Sequence, residues 1–193
     1  MREAVLKVGT DRERVDFLAI YPWIDEIADR DMAASVLAVL DELWGQSRFA
    51  TFDKIPTSGK IAYPNLPHTQ CVVEMSLAIA DAFTRYHGTV VDRDVLIAAA
   101  VLQDASKMVE YEPTDDGVRH TEIGKSYTHA FWCAHVALNH GLSAKVVHII
   151  LTHSPQAPRF PESLEGKILY YADQLDVIAI HGDRWIKQLM ISK

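Results

Sequence analysis

Cysteine is scarce: Cys71 and Cys133 are the two in 193 residues. Two are too few for a disulfide framework, which excludes a small stapled secreted fold and leads one to expect a reducing compartment. Long hydrophobic runs are also lacking. The longest, Val95 to Leu102, falls far short of the ~20 residues that span a bilayer, so no membrane span is expected. The opening stretch "MREAVLKVGTDRERVDF" has neither the apolar core nor the small-residue cleavage site of a secretory signal, and a cytoplasmic location is expected. Glycine (9) and proline (8) are sparse, leaving little room for disorder. Basic residues are outnumbered 26 to 19, for a formal net charge of −7. Lysine and arginine do not cluster, which argues against a nucleic-acid partner. A small anionic substrate would then need help from a cation.

What is present suits one folded domain of ordinary size: 49% hydrophobic and 23% charged residues. Helical signals follow one another, whereas no segment alternates convincingly as a strand, so an all-α domain of roughly six to eight helices is expected. Asp11 to Ala28 reads as a first helix that Pro22 kinks or splits, and Ala33 to Trp44 as a second. Residues 45–67 are a long connection, a candidate lid or substrate-facing loop. A helix is expected from near His68 to Gly88, and another from a cap at Asp92 or Asp94 through "DVLIAAAVLQDASKM". The polar stretch "EYEPTDDGVRHTEIGK" reads as a loop. Ser126 is the expected cap of a helix to His140, Ser143 that of one ending near His153, and a last long helix runs from about Pro161 to Met190, broken at Gly182.

Nine histidines are many for this length, and those after Gly124 concentrate in one segment. Two helices there, of about 14 and 11 residues, run roughly 21 Å out and 16 Å back, which brings His129 and His153 to one end. His135, His140 and His148 fall mid-helix or at the far end, as packing or surface residues. The preceding helix pair repeats the pattern: His68 opens one helix and Asp104 closes the next. In "KILYYADQLDVIAI" Asp173 shares a face with Leu169, Ala172, Asp176 and Ile180 on a helix that reads as largely buried. A carboxylate there costs several kcal/mol to desolvate unless it is paired or binds a cation. A salt bridge from Asp173 or Asp176 to an arginine is the structural alternative to a metal.

The order His68, Gln103-Asp104, His129, His153, Asp173, with "LQDASK" at a helix end, resembles the HD-domain superfamily of metal-dependent phosphohydrolases over about residues 64 to 180. The resemblance implies a helical bundle of the HD-domain type, with residues 1–60 as an N-terminal helical extension and connecting loop, and 61–193 as the metal-binding part of one compact domain. Carried over residue by residue, it implies His68, Asp104 and Asp173 as ligands of a first metal and His129 and His153 as ligands of a second, with Asp104 bridging. Lys107 matches a lysine that binds a phosphate oxygen or pairs with Asp104; a helix-terminal lysine is the plain alternative.

Gln103 stands where the family has histidine. Its carboxamide oxygen is harder than imidazole nitrogen, so it suits Mg²⁺, Mn²⁺ or Ca²⁺ better than Zn²⁺ or Fe²⁺. The implied cofactor is one or two divalent ions per chain, among Mn, Mg, Fe, Zn and Ni. The implied activity is hydrolysis of a small phosphate ester or nucleotide through a metal-activated water, with Asp104 and Lys107 in the catalytic roles and Glu110, Glu112 or Asp176 as candidate general acids. Two other readings stay open: a non-catalytic module that binds metal or nucleotide, and a di-iron oxygenase of the kind typified by myo-inositol oxygenase. A homo-oligomer is left open.

Overall fold

A computed structural model describes residues 12–59 and 61–181, and helical caps set most of its element boundaries. Asp16 accepts hydrogen bonds from the backbone N–H groups of Leu18 and Ala19 and starts α1 (Phe17–Ile20), after which Pro22 opens a 3-10 turn over Pro22–Glu26. The expected first helix is thus reduced to these two short pieces on either side of Tyr21, with residues 12–16 non-helical, and its first residue, Asp11, lies outside the described residues. Asp29 caps α2 (Arg30–Gln46). The connection that follows contains a hairpin, β1 (Pro56–Ser58) with β2 (Ile61–Pro64).

Next comes α3 (Asn65–His87), with Pro67 in its first turn, where no intrahelical N–H is needed, and Gly88 at φ 64° as its left-handed stop. Asp92, rather than Asp94, caps α4 (Arg93–Leu102). Asp94 instead accepts from the backbone N–H groups of Ala28 and Asp29, tying the N-terminal turns to α4. Helix α4 stops before Gln103 and does not continue to Met108. A turn over residues 103–106 precedes the short α5 (Lys107–Glu110).

The polar stretch expected as a loop is a second hairpin, β3 (Tyr111–Thr114) with β4 (Gly117–His120), followed by α6 (Glu122–Ser126). Its strands are held by the cross-strand pair Glu112 and Arg119, whose Nε lies 2.6 Å from the carboxylate, and its turn closes on Gly117 at φ 137°. Ser126 ends α6 instead of capping the next helix. α7 spans Phe131–Asn139, Ser143 caps α8 (Ala144–Thr152), and α9 spans Leu164–His181. The expected break at Gly182 and the helix beyond it lie outside the described residues.

The all-α expectation holds, with two small hairpins added. Every residue from Val95 to Leu102 is buried, as a continuous apolar run requires, and α4 is packed by α2, α3, α8 and α9. Phe17, Tyr21, Leu40, Trp44 and Phe52 from the first sixty residues share this core with residues from α3 to α9. Helix α9 is buried around most of its circumference and exposed along one stripe. Tyr171 and Leu175 on its outer edge are 56% and 46% exposed, so the largely buried helix read from its composition has one open edge. No described helix is long and apolar enough to cross a membrane.

Candidate functional site

The packing of α3 on α4 and α9 brings His68, in the first turn of α3, against Asp104 and Asp173. His68 Nε2 lies 3.3 Å from Asp104 Oδ2 and 3.2 Å from Asp173 Oδ1. Its other nitrogen, Nδ1, donates to Asp176 Oδ2 at 2.6 Å. Asp176 sits one turn after Asp173 on the same face of α9, so the sequence carried a signal for it, although not for its partner. The arginine alternative for the two aspartates gives way to this shared histidine. All four side chains are buried.

The second oxygen of Asp104 faces the other pair. His129 Nε2 is 3.8 Å and His153 Nε2 3.6 Å from Asp104 Oδ1, and the two imidazoles meet at 3.1 Å. Helices α7 and α8 are shorter than expected, at 9 residues each. The convergence survives because His129 precedes α7 by two residues and His153 follows α8 directly. His153 Nδ1 donates to the Ile150 carbonyl at 2.7 Å, which turns its Nε2 inward.

Charge follows this geometry. Burial opposes ionisation of Asp104, yet Lys107, His153 and His68 outweigh it and hold the carboxyl well below its usual range. Burial likewise opposes protonation of His68, but Asp104, Asp173 and Asp176 raise it well above an ordinary histidine. Burial and the neighbouring His153 push His129 down to about 3, whereas His153, despite its burial, is raised by Asp104. At 3.1 Å the two facing Nε2 atoms suit a proton held between them, with His153 the more basic of the pair.

Asp104, His129 and His153 each offer a ligand atom, all within 4.8 Å of one another. The donor set fits a divalent cation: one ionised carboxylate, one neutral imidazole and a second imidazole whose Nδ1 is already anchored. His68 is oriented in the same way by a carboxylate on its outer nitrogen. Gln103 is fully buried, and neither its Oε1 nor its Nε2 has a hydrogen-bond partner. Of the other histidines expected to pack or lie at the surface, His140 pairs with Glu42 at 2.7 Å and His135 stacks on Phe131.

The candidate acids are already engaged. Glu112 is held by Arg48 and Arg119, Asp176 by His68, and Glu110 by Lys107. Despite the opposing effect of burial, the partners of Glu112 and Asp176 keep both below the ordinary carboxyl range, so neither carries a proton to give near neutrality. One residue escaped the sequence reading. Tyr21, from the 3-10 segment boundary, is buried beside Thr69; burial, aided by the charge of Asp104, raises its hydroxyl. A lone tyrosine 83 positions upstream gives no sequence signal.

A cation entering between His129 and His153 must displace their shared proton. Binding near neutral pH is expected to release about one proton per ion at this position. Because His153 is raised, affinity should climb as pH rises and level off above the His153 pKa. Calorimetric titration of Mn²⁺ in two buffers of different ionisation enthalpy measures this release. A buffer-independent heat would mean that no proton is displaced.

Comparison with known proteins adds one relative. Dihydroneopterin 2',3'-cyclic phosphate phosphodiesterase of Methanocaldococcus jannaschii is 29% identical to this chain over 112 residues. The match covers 58% of this chain and 45% of that protein, so the chain spans less than half the length of the relative it matches. No family model and no solved structure matches. The chain is thus similar to a phosphodiesterase and carries a cluster of metal-ligand type.

Proposed function

We propose that the protein is a metal-dependent phosphohydrolase acting on a small phosphate ester or nucleotide. The observation that carries this reading is the placement of Asp104, one oxygen toward His68 and the other toward His129 and His153, inside apolar helices. The relative's activity on a cyclic phosphate supports the substrate class. In this reading His68, Asp104 and Asp173 hold one ion, with the Gln103 carboxamide beside Asp104 as a further donor, and Asp104, His129 and His153 hold another. In this reading the described residues before α3 belong to the same domain, since Phe17, Tyr21 and Phe52 share its apolar core.

A bound divalent ion supplies charge neutralisation for phosphate oxygens and lowers the pKa of water toward neutrality. Lys107 contributes a fixed positive charge for a phosphate oxygen; burial opposes that charge, but Asp104 and Glu110 sustain it. Asp176 and the Ile150 carbonyl orient the imidazoles of His68 and His153.

The test is hydrolysis of a nucleoside 2',3'-cyclic phosphate, bis(p-nitrophenyl) phosphate and p-nitrophenyl phosphate by Mn²⁺-loaded protein. Turnover is expected on the diesters, lost on chelation and restored by Mn²⁺. Metal bound with no turnover on any of the three would overturn the hydrolase reading. The unpartnered Gln103 amide, standing where an imidazole would serve, would then favour a non-catalytic binding module.

A further inference from the structure

Lys107 and Glu110 form a buried ion pair within α5, with Nζ 3.1 Å from Oε2. Lys107 is three residues from Asp104, and its charge is the strongest of the influences that lower the Asp104 carboxyl against the effect of burial. The two are nevertheless not in contact: among the described residues, the carboxylate that Lys107 pairs with is Glu110. A lysine on a flexible four-carbon stem is a compact charge that can swing between neighbouring carboxylates. An ammonium seated on Asp104 would compete with a divalent cation for the same oxygens.

We infer that Glu110 is a positioning residue that holds the Lys107 ammonium off Asp104, leaving that carboxylate open to a cation while keeping a positive charge close by for phosphate. The backbone of Glu110 is held in place by two hydrogen bonds. Its N–H donates to the Ser106 carbonyl at 2.8 Å, and its carbonyl accepts from the Thr121 N–H at 2.9 Å. Helix α6 presses on the same point, since a Cβ at Gly124 would lie 2.3 Å from the Glu110 carbonyl oxygen and only glycine fits. His120 Nδ1, 3.8 Å from Glu110 Oε1, backs the carboxylate from the hairpin side, and the Tyr111 ring lies 5.7 Å from Lys107 Nζ. The inference rests on the metal-binding reading above.

Binding of Mn²⁺ alone, followed by electron paramagnetic resonance, tests it without substrate. Glu110→Gln is expected to weaken Mn²⁺ binding about tenfold, the range seen when an outer partner of a metal ligand is lost. Lys107→Met alone should bind Mn²⁺ at least as tightly as wild type, because a positive charge near Asp104 is removed. The double variant should recover the affinity that Glu110→Gln loses, because the competing ammonium is gone. Glu110→Asp, with its shorter arm, should show a partial loss that Lys107→Met also relieves, and it serves if Glu110→Gln does not fold. Unchanged affinity in the Glu110 variants, or a loss that Lys107→Met fails to relieve, overturns the inference by reducing Glu110 to a structural partner. A wild-type chain that takes up no Mn²⁺ overturns the metal reading and this inference together. Mn²⁺ bound without phosphate release overturns the hydrolase reading alone.

Discussion

Asp104→Ala is expected to abolish metal uptake and phosphate release together while leaving the far-ultraviolet circular dichroism nearly unchanged. The carboxylate is the one group that faces both halves of the cluster, with His68 at 3.3 Å from one oxygen and His153 and His129 at 3.6 Å and 3.8 Å from the other. Its loss removes a ligand from each proposed position at once. The helices owe their stability to the apolar faces packed around α4, not to this turn, so helicity persists. The variant should still unfold more easily. Removing one partner of a buried charge pair costs about 3–5 kcal/mol. Elemental analysis of wild type and variant, purified without chelator, decides the matter: metal retained at the wild-type ratio in Asp104→Ala would show that the cluster is not the binding site.

Gln103→His should tighten binding of Zn²⁺, Mn²⁺ or Fe²⁺ by about tenfold or more, equivalent to about 1.4 kcal/mol from one added imidazole donor. The substitution is informative because of what the present residue lacks. A buried amide with no hydrogen-bond partner at either terminal atom costs about 1–3 kcal/mol unless something bound receives it. Gln103→Met, which keeps the length and removes the polarity, should therefore raise the stability of the metal-free chain by about 1–2 kcal/mol. If the carboxamide is a ligand, the same change weakens metal binding. Equal metal affinity in all three proteins would mean that residue 103 points away from the ions.

Much of the helical frame was legible because its signals are local. Ser143 caps its helix as read, Asp92 is the one of two candidates that caps α4, Gly88 stops α3, and the run from Val95 to Leu102 is buried on every side. The misreadings have physical causes as well. The hairpin over Tyr111–His120 is half polar, and its strands are held by an arginine–glutamate pair and a glycine turn instead of an alternating apolar face. Ser126 has the composition of a helix cap, but Thr121 had already started a short helix that Ser126 ends. The apolar composition of α9 concealed an open edge, because hydropathy alone does not say which faces find neighbours.

The sequence by itself determined that His68, Asp104, His129, His153 and Asp173 stand at the ends and inner faces of apolar helices, since spacing and periodicity decide which end and which face a residue occupies. Only the tertiary structure decided who touches whom. Asp104 divides its two oxygens between His68 and the His129–His153 pair, Asp176 holds the outer nitrogen of His68, and Lys107 pairs with Glu110 instead of Asp104. These choices join side chains across elements far apart in the chain, or select one neighbouring carboxylate over another. They depend on rotamers and on competition among buried charges that no local pattern encodes.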